Sequence, residues 1–125
     1  MKQKDLKILV VDDMESMRKV IRHLLGELGY KNVAQASDGK GAVLKLQSGR
    51  YDLVITDWNM PTMSGLQLLK YIRANDELAF LPVLMITTEG SRKQVLDAAM
   101  AGVNSYIMKP FSAAMLAEKI EKIFA

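Results

Sequence analysis

Five short apolar runs, each set between longer stretches of helical periodicity, constrain this chain more than any other feature. The runs are Ile8-Leu9-Val10-Val11, Val33-Ala34, Leu53-Val54-Ile55, Val83-Leu84-Met85-Ile86 and Tyr106-Ile107-Met108. They are brief, bounded and often β-branched, the pattern of buried strands. Val33-Ala34 carries the weakest signal. Between the runs, Met17, Val20, Ile21, Leu24, Leu25 and Leu28 keep the spacing of one buried helical face, and Gly29 ends that helix. Ala42, Val43 and Leu46 mark a second helix, closed by Gly49. Ser64 with Gln67, and Ser91 with Gln94, have the spacing of a capping box. They open a third helix containing Leu68, Leu69 and Ile72, and a fourth whose inward residues are expected to be Val95, Leu96, Ala99 and Met100. Ser112 caps a fifth, with Leu116, Ile120 and Ile123 facing in.

Strand–helix alternation repeated five times implies right-handed crossovers and a parallel sheet covered by helices on both faces. The expected fold is therefore α/β, a doubly wound five-stranded parallel sheet with five helices. A closed eight-unit barrel needs roughly 250 residues, and this chain has 125. That length suits one domain over residues 1–125, with no output domain. No apolar run approaches the roughly 18 residues of a membrane span. The polar residues 1–6 do not read as a signal peptide, and the absence of cysteine suits a cytoplasmic protein. The net charge of +3 comes from scattered residues, so no nucleic-acid patch is expected, and Lys40, Lys45 and Arg50 read as a solvated helix face. A monomer is expected.

The ends of the runs carry the chemistry. The first stops at Asp12-Asp13, the third at Asp57, the fourth at Thr87-Thr88 and the fifth at Lys109. In an open parallel sheet, ligands bind beyond the carboxyl ends of the strands, where the strand order reverses. The fold would thus gather three carboxylates, a hydroxyl and an ammonium in one crevice. Crowded carboxylates repel one another, and a hard divalent cation such as Mg²⁺ relieves that repulsion. Lys109 is a second cation for an incoming phosphoryl group, Thr87 is a hydroxyl donor to it, and one carboxylate is the nucleophile.

Asp12-Asp13, Asp57, Thr87 and Lys109-Pro110 at this spacing resemble the receiver domain of bacterial response regulators. Thr56-Asp57-Trp58-Asn59-Met60-Pro61, Pro82-Val83-Leu84-Met85, Ala101-Gly102-Val103 and Lys109-Pro110-Phe111 are similar to the stand-alone chemotaxis members of that family. The resemblance covers nearly the whole chain, and it supplies the flavodoxin-like strand order 2-1-3-4-5, which the pattern alone does not. It implies that Asp57 is the phosphoacceptor. It implies that Asp12, Asp13, Asp57 and the backbone carbonyl of Asn59 hold Mg²⁺, and that Thr87 and Lys109 contact the phosphoryl group. Thr87 and Tyr106 would form a switch pair. A partner face would carry Gly90, Arg92, Val95, Tyr106 and Lys119. The implied partners are the histidine kinase CheA as phosphodonor, the flagellar motor switch protein FliM as target, and a phosphatase.

Departures from the family pattern fall outside the five central residues. They are Met14 and Glu15 after the acidic pair, Ser64, Thr88 beside the switch threonine, and Ser91 on the partner face. Trp58 is expected to be partly exposed beside the site, His23 to lie on the surface, and the Lys109-Pro110 bond can be cis. The nine methionines read mostly as core. Two other classes fit less well. A haloacid-dehalogenase-type phosphatase wants a second aspartate two residues after the nucleophile, where this chain has Asn59. An FMN carrier needs a phosphate loop after the first strand, where Asp12-Asp13 would repel the ligand.

Overall fold

The computed structural model describes residues 5–88 and 90–125; residues 1–4 of the polar N-terminal stretch lie outside them. Strands and helices alternate without exception: β1 (Ile8–Val11), α1 (Glu15–Glu27), β2 (Val33–Ala36), α2 (Gly39–Ser48), β3 (Leu53–Asp57), α3 (Gly65–Ala74), β4 (Val83–Thr87), α4 (Arg92–Met100), β5 (Ser105–Met108) and α5 (Ala113–Ile123). All pairings are parallel, in the order β2-β1-β3-β4-β5. This is the flavodoxin-like order implied above. The weak run at Val33-Ala34 extends to Ala36 as an edge strand, paired on one side only, which is why it needs less apolar content.

Side chains along a strand alternate between faces, so each strand feeds two separate cores. Leu9, Val11, Val54, Val83 and Met85 pack with Ala42, Leu46, Leu68, Leu69, Ile72 and Ala98, beneath α2, α3 and α4. Ile8, Val10, Leu53, Ile55, Leu84, Ile86 and Ile107 pack with Ile21, Leu25, Leu116 and Ile120, beneath α1 and α5. Burial on both faces explains why the runs are continuous rather than alternating.

Capping follows the sequence closely. Ser64 and Gln67 form the full reciprocal box, and Ser91 and Ser112 accept from the backbone N–H groups of Gln94 and Met115. Asp38 caps α2 in the same way, a role not anticipated from the sequence. Gly29 ends α1 with φ of 95°. Two expectations are corrected. On α4 only Ala98 is buried, with Gln94 and Asp97 half-buried, while Val95, Leu96, Ala99 and Met100 face solvent. The packed stripe runs through Gln94, Ala98 and Ala101, whose i, i+4, i+7 spacing is that of one helical face. Val20 on α1 is likewise 49% exposed, at the rim of a groove with Met17, Thr88, Lys109, Pro110 and Phe111.

Arg73 ties the far end of the sheet together. Its Nε donates to the Gly102 carbonyl at 3.0 Å, and Nη1 donates to the Ala79 and Leu81 carbonyls at 3.2 and 2.6 Å. Nη2 donates to Asn104 Oδ1 at 2.6 Å, an oxygen that also accepts the Val83 N–H. Removing a charged donor from such carbonyls costs about 2 kcal/mol. Arg73→Ala is therefore expected to lower the urea-unfolding free energy by about 2 kcal/mol, and Arg73→Lys, which lacks the fork, to recover only part of it. Wild-type stability in both variants would contradict this role.

Candidate functional site

The same alternation that divides the cores sorts the functional residues. Asp12 continues the Ile8–Val10 parity, and Asp57 that of Leu53 and Ile55, toward α1 and α5. Lys109 continues the parity of Ile107. Thr87 and Tyr106 fall on the opposite face, with Met85, toward α4. The strand ends therefore present an acid–base cluster on one side of the sheet and the Thr87–Tyr106 pair on the other.

The cluster is tight. Ligand oxygens of Asp12, Asp13 and Asp57 lie within 4.8 Å of one another. Asp12 and Asp57 are buried, at 1% and 7% exposure, while Asp13 is open to solvent. The Lys109 ammonium stands 3.1 Å from Asp57 Oδ1 and 3.5 Å from Asp12 Oδ2. Lys109 is fixed from behind by its N–H, which donates to the Thr87 carbonyl at 2.7 Å. The Lys109-Pro110 bond is cis. Asp12 is fixed by its N–H to the Ala36 carbonyl and by its Oδ1, which accepts the Met14 N–H at 2.9 Å. Burial raises the Asp57 carboxyl above its ordinary value; Lys109 opposes this, and the charges of Asp12 and Asp13 add to it.

One ammonium facing three carboxylates leaves a net negative, oxygen-only cluster with one open side. That donor set fits a hard divalent cation that retains waters, as Mg²⁺ does. Asn59 follows, itself exposed, in the β3–α3 loop. In the same loop Thr62 has φ of 70°, an unfavourable conformation for a β-branched residue. Thr62→Asn is expected to stabilise the fold by about 1 kcal/mol, and an unchanged or lowered unfolding midpoint would count against that strain.

Thr87 is fully buried at the end of β4, beside Asp57's partner Ile86. Tyr106 is half-buried, and its hydroxyl donates to Gln94 Oε1 at 3.4 Å. Its ring meets Trp58 edge to face, with centroids 6.5 Å apart. Trp58 itself is only 8% exposed, which corrects the expectation of partial exposure. Its N–H donates to the Ile86 carbonyl, and its ring belongs to the core beneath α2, α3 and α4. Gly90, Arg92 and Val95 are exposed, and Lys119 is half-buried.

Arg18 was missed in the sequence. Its Nη1 donates to the Asp12 carbonyl at 2.8 Å and its Nε to Gln35 Oε1 at 3.2 Å, so it braces the end of β1 against β2. Helical spacing from Met14 could have indicated it; composition could not. Glu15 does not join the acidic cluster and pairs with Lys19 at 3.3 Å on the surface. His23 is on the surface as expected, paired with Glu27 at 2.9 Å.

The family model of the response regulator receiver domain matches residues 8–121. Chemotaxis protein CheY-3 of Vibrio cholerae is 55% identical over 121 residues, covering 97% of this chain and 93% of that protein. Chemotaxis protein CheY of Pseudomonas aeruginosa is 54% identical over 119 residues, covering 95% and 96%. The crystal structure of Vibrio cholerae CheY4 superposes with a TM-score of 0.89 at 35% identity, covering 95% of this chain and 98% of that one. With acidic strand ends and strand order in place, these matches over nearly the full length mean that the chain belongs to the response regulator receiver family, as a relative of the chemotaxis CheY proteins.

Proposed function

We propose that Asp57 accepts a phosphoryl group from a phosphohistidine of the chemotaxis kinase CheA, and that the phosphorylated chain binds the flagellar motor switch protein FliM. The observation that carries the first half is the convergence of buried Asp57 and Asp12 on Lys109, at 3.1 and 3.5 Å. In the transfer, the donor's N–P bond breaks and an Asp57 Oδ–P bond forms. Lys109 lies where it would neutralise charge on the phosphoryl oxygens, and the Thr87 hydroxyl would donate to one of them. Asp12, Asp13, Asp57 and the Asn59 carbonyl would hold Mg²⁺, which supplies charge neutralisation at the transferred group. The same residues would assist transfer and the later hydrolysis, so the chain accelerates both steps of its own cycle.

The second half rests on likeness to chemotaxis relatives and on the exposed surface of α4. A Thr87 side chain drawn toward the phosphoryl group would vacate space on the α4 side of the sheet, and Tyr106 would turn into it. That rearrangement would reshape the face of Gly90, Arg92, Val95, Tyr106 and Lys119.

Trp58 adjoins Asp57 in sequence and touches Tyr106, so its fluorescence reports both halves. The expected result is a response to Mg²⁺, a further response to beryllofluoride, and tighter binding of the FliM N-terminal peptide with beryllofluoride present. Responses to metal and mimic without peptide binding would assign the receiver to another pathway or to a phosphate-sink role. Silence at both would remove the site assignment.

A further inference from the structure

The methionines do not follow their core-like spacing. Met60 and Met85 are buried, yet Met14, Met100, Met108 and Met115 are exposed by 55%, 80%, 46% and 42%. Among these four, Met108 occupies a distinctive place. It is the last residue of β5, in register with Thr87, and it precedes Lys109. By strand parity it shares the α4 side with Tyr106. Its side chain lies over Gly90 in the β4–α4 loop. A Cβ on Gly90 would overlap the Met108 sulfur and stand 3.0 Å from Cε and 3.5 Å from Cγ. The thioether thus fills the volume that a side chain at position 90 would take, at the loop joining Thr87 to α4.

A thioether is apolar and flexible; its sulfoxide is polar, bulkier and chiral. The sulfur lies where a Cβ on Gly90 would stand, so an oxygen added on that side would press on the Gly90 backbone, and Met108 as a residue is 46% exposed, open to an oxidant. With a hydroperoxide, the sulfur lone pair attacks the distal oxygen, the O–O bond breaks, an S–O bond forms and the alcohol or water leaves. Sulfur loses the two electrons that the peroxide gains, and methionine sulfoxide reductases reverse the change.

We propose that Met108 is an oxidation switch: its conversion to the sulfoxide by a hydroperoxide displaces the Gly90 segment and weakens binding through the neighbouring face of α4 and β5. The binding consequence rests on the output face proposed above; the displacement does not.

The test uses the full chain with Mg²⁺ and beryllofluoride, as wild type and as Met108→Leu, before and after dilute hydrogen peroxide. Peptide mass spectrometry locates the sulfoxides, the Gly90 amide resonance reports the loop, and anisotropy of a labelled FliM peptide reports the face. In wild type the expected results are a sulfoxide at Met108, a shifted Gly90 amide, and peptide affinity reduced about fivefold or more, all reversed by the reductases. Met108→Leu is expected to keep its Gly90 resonance and its affinity while Met14, Met100 and Met115 oxidise. Three results would overturn the proposal: an unmodified Met108 beside oxidised neighbours, an unmoved Gly90 amide in the Met108 sulfoxide, or equal affinity loss in Met108→Leu. If reduced, activated wild type binds no peptide, the output-face reading fails by itself and the Gly90 resonance alone decides.

Discussion

Asp57→Asn is expected to abolish phosphoryl incorporation and, at neutral pH without Mg²⁺, to make the protein more stable than wild type. The first outcome follows from the proposed acceptor: an amide cannot form the acyl phosphate, and label from a phosphorylated kinase or a small acyl phosphate should fall to background. Persistent labelling would move the acceptor to another carboxylate, of which Asp13 is the exposed one in the cluster. The second outcome follows from electrostatics. Burial, with help from Asp12 and Asp13, raises the Asp57 carboxyl above its unfolded value despite Lys109. A carboxyl raised by folding binds its proton more tightly in the native state. The penalty of ionising it is absent below its unfolded value near 4, grows as pH rises from there through the raised folded value, and is complete only above that value. Metal-free wild type should therefore lose stability as pH rises across that window, and Asp57→Asn should lose less. A gain of 1 kcal/mol appears as a rise of about 3–6 °C in Tm for a domain of this size. Mg²⁺ should raise the wild-type Tm through ligand linkage and raise that of Asp57→Asn far less. Equal metal stabilisation of both proteins would show that Asp57 is not a ligand.

The cluster behind that prediction was legible because it depends on strand ends alone. Once Ile8–Val11, Leu53–Ile55 and Val83–Ile86 read as parallel strands, Asp12, Asp57 and Thr87 had to emerge on one edge of the sheet. Strand parity would have said more: that Asp12, Asp57 and Lys109 share one face while Thr87 and Tyr106 share the other. The helices were less readable. On α1 and α5 the apolar period marks the core, with Ile21, Leu25, Leu116 and Ile120 buried. On α4 the bulky apolar residues point outward, and small Ala98 makes the contact. Periodicity gives a direction for hydrophobicity, but it does not distinguish a core from a surface kept apolar for another reason. Arg18 and Arg73 were missed for a different cause. Arg73 bridges backbone carbonyls distant in sequence, and Arg18 joins the Asp12 carbonyl to the Gln35 side chain; the long-range half of each bridge has no local pattern. Trp58 was misplaced because its polar neighbours suggested solvent, whereas alternation turns its ring away from Asp57 and into the core.

Gly65→Ala is expected to cost about 3 kcal/mol, although it adds one methyl group at the start of a helix. Gly65 is buried as the first residue of α3, and its N–H donates to the Trp58 carbonyl at 2.8 Å. A Cβ there would overlap the Asp57 carbonyl oxygen and lie 2.9 Å from Met85 Sδ and 3.0 Å from the Asp57 carbonyl carbon. The sulfur can swing aside, but the carbonyl is the backbone at the end of β3, and it yields only if Asp57 moves. The substitution should therefore weaken Mg²⁺ binding as well as the fold, by about tenfold for a carboxylate displaced within a rigid cluster. Gly26→Ala is the matched control. Gly26 lies within α1, and a methyl group there would meet nothing within 4 Å. The same substitution at that position should stabilise by about 0.5–1 kcal/mol through helix propensity. Urea unfolding followed by Trp58 fluorescence, with Mg²⁺ titrated into each variant, separates the two cases. Gly65→Ala within about 0.5 kcal/mol of wild type would mean that the close approach of α3 to β3 relaxes without cost, and that the helix does not fix the acceptor strand. A destabilised Gly65→Ala with unchanged metal affinity would place the strain in Met85 and the core, and leave the site independent of it.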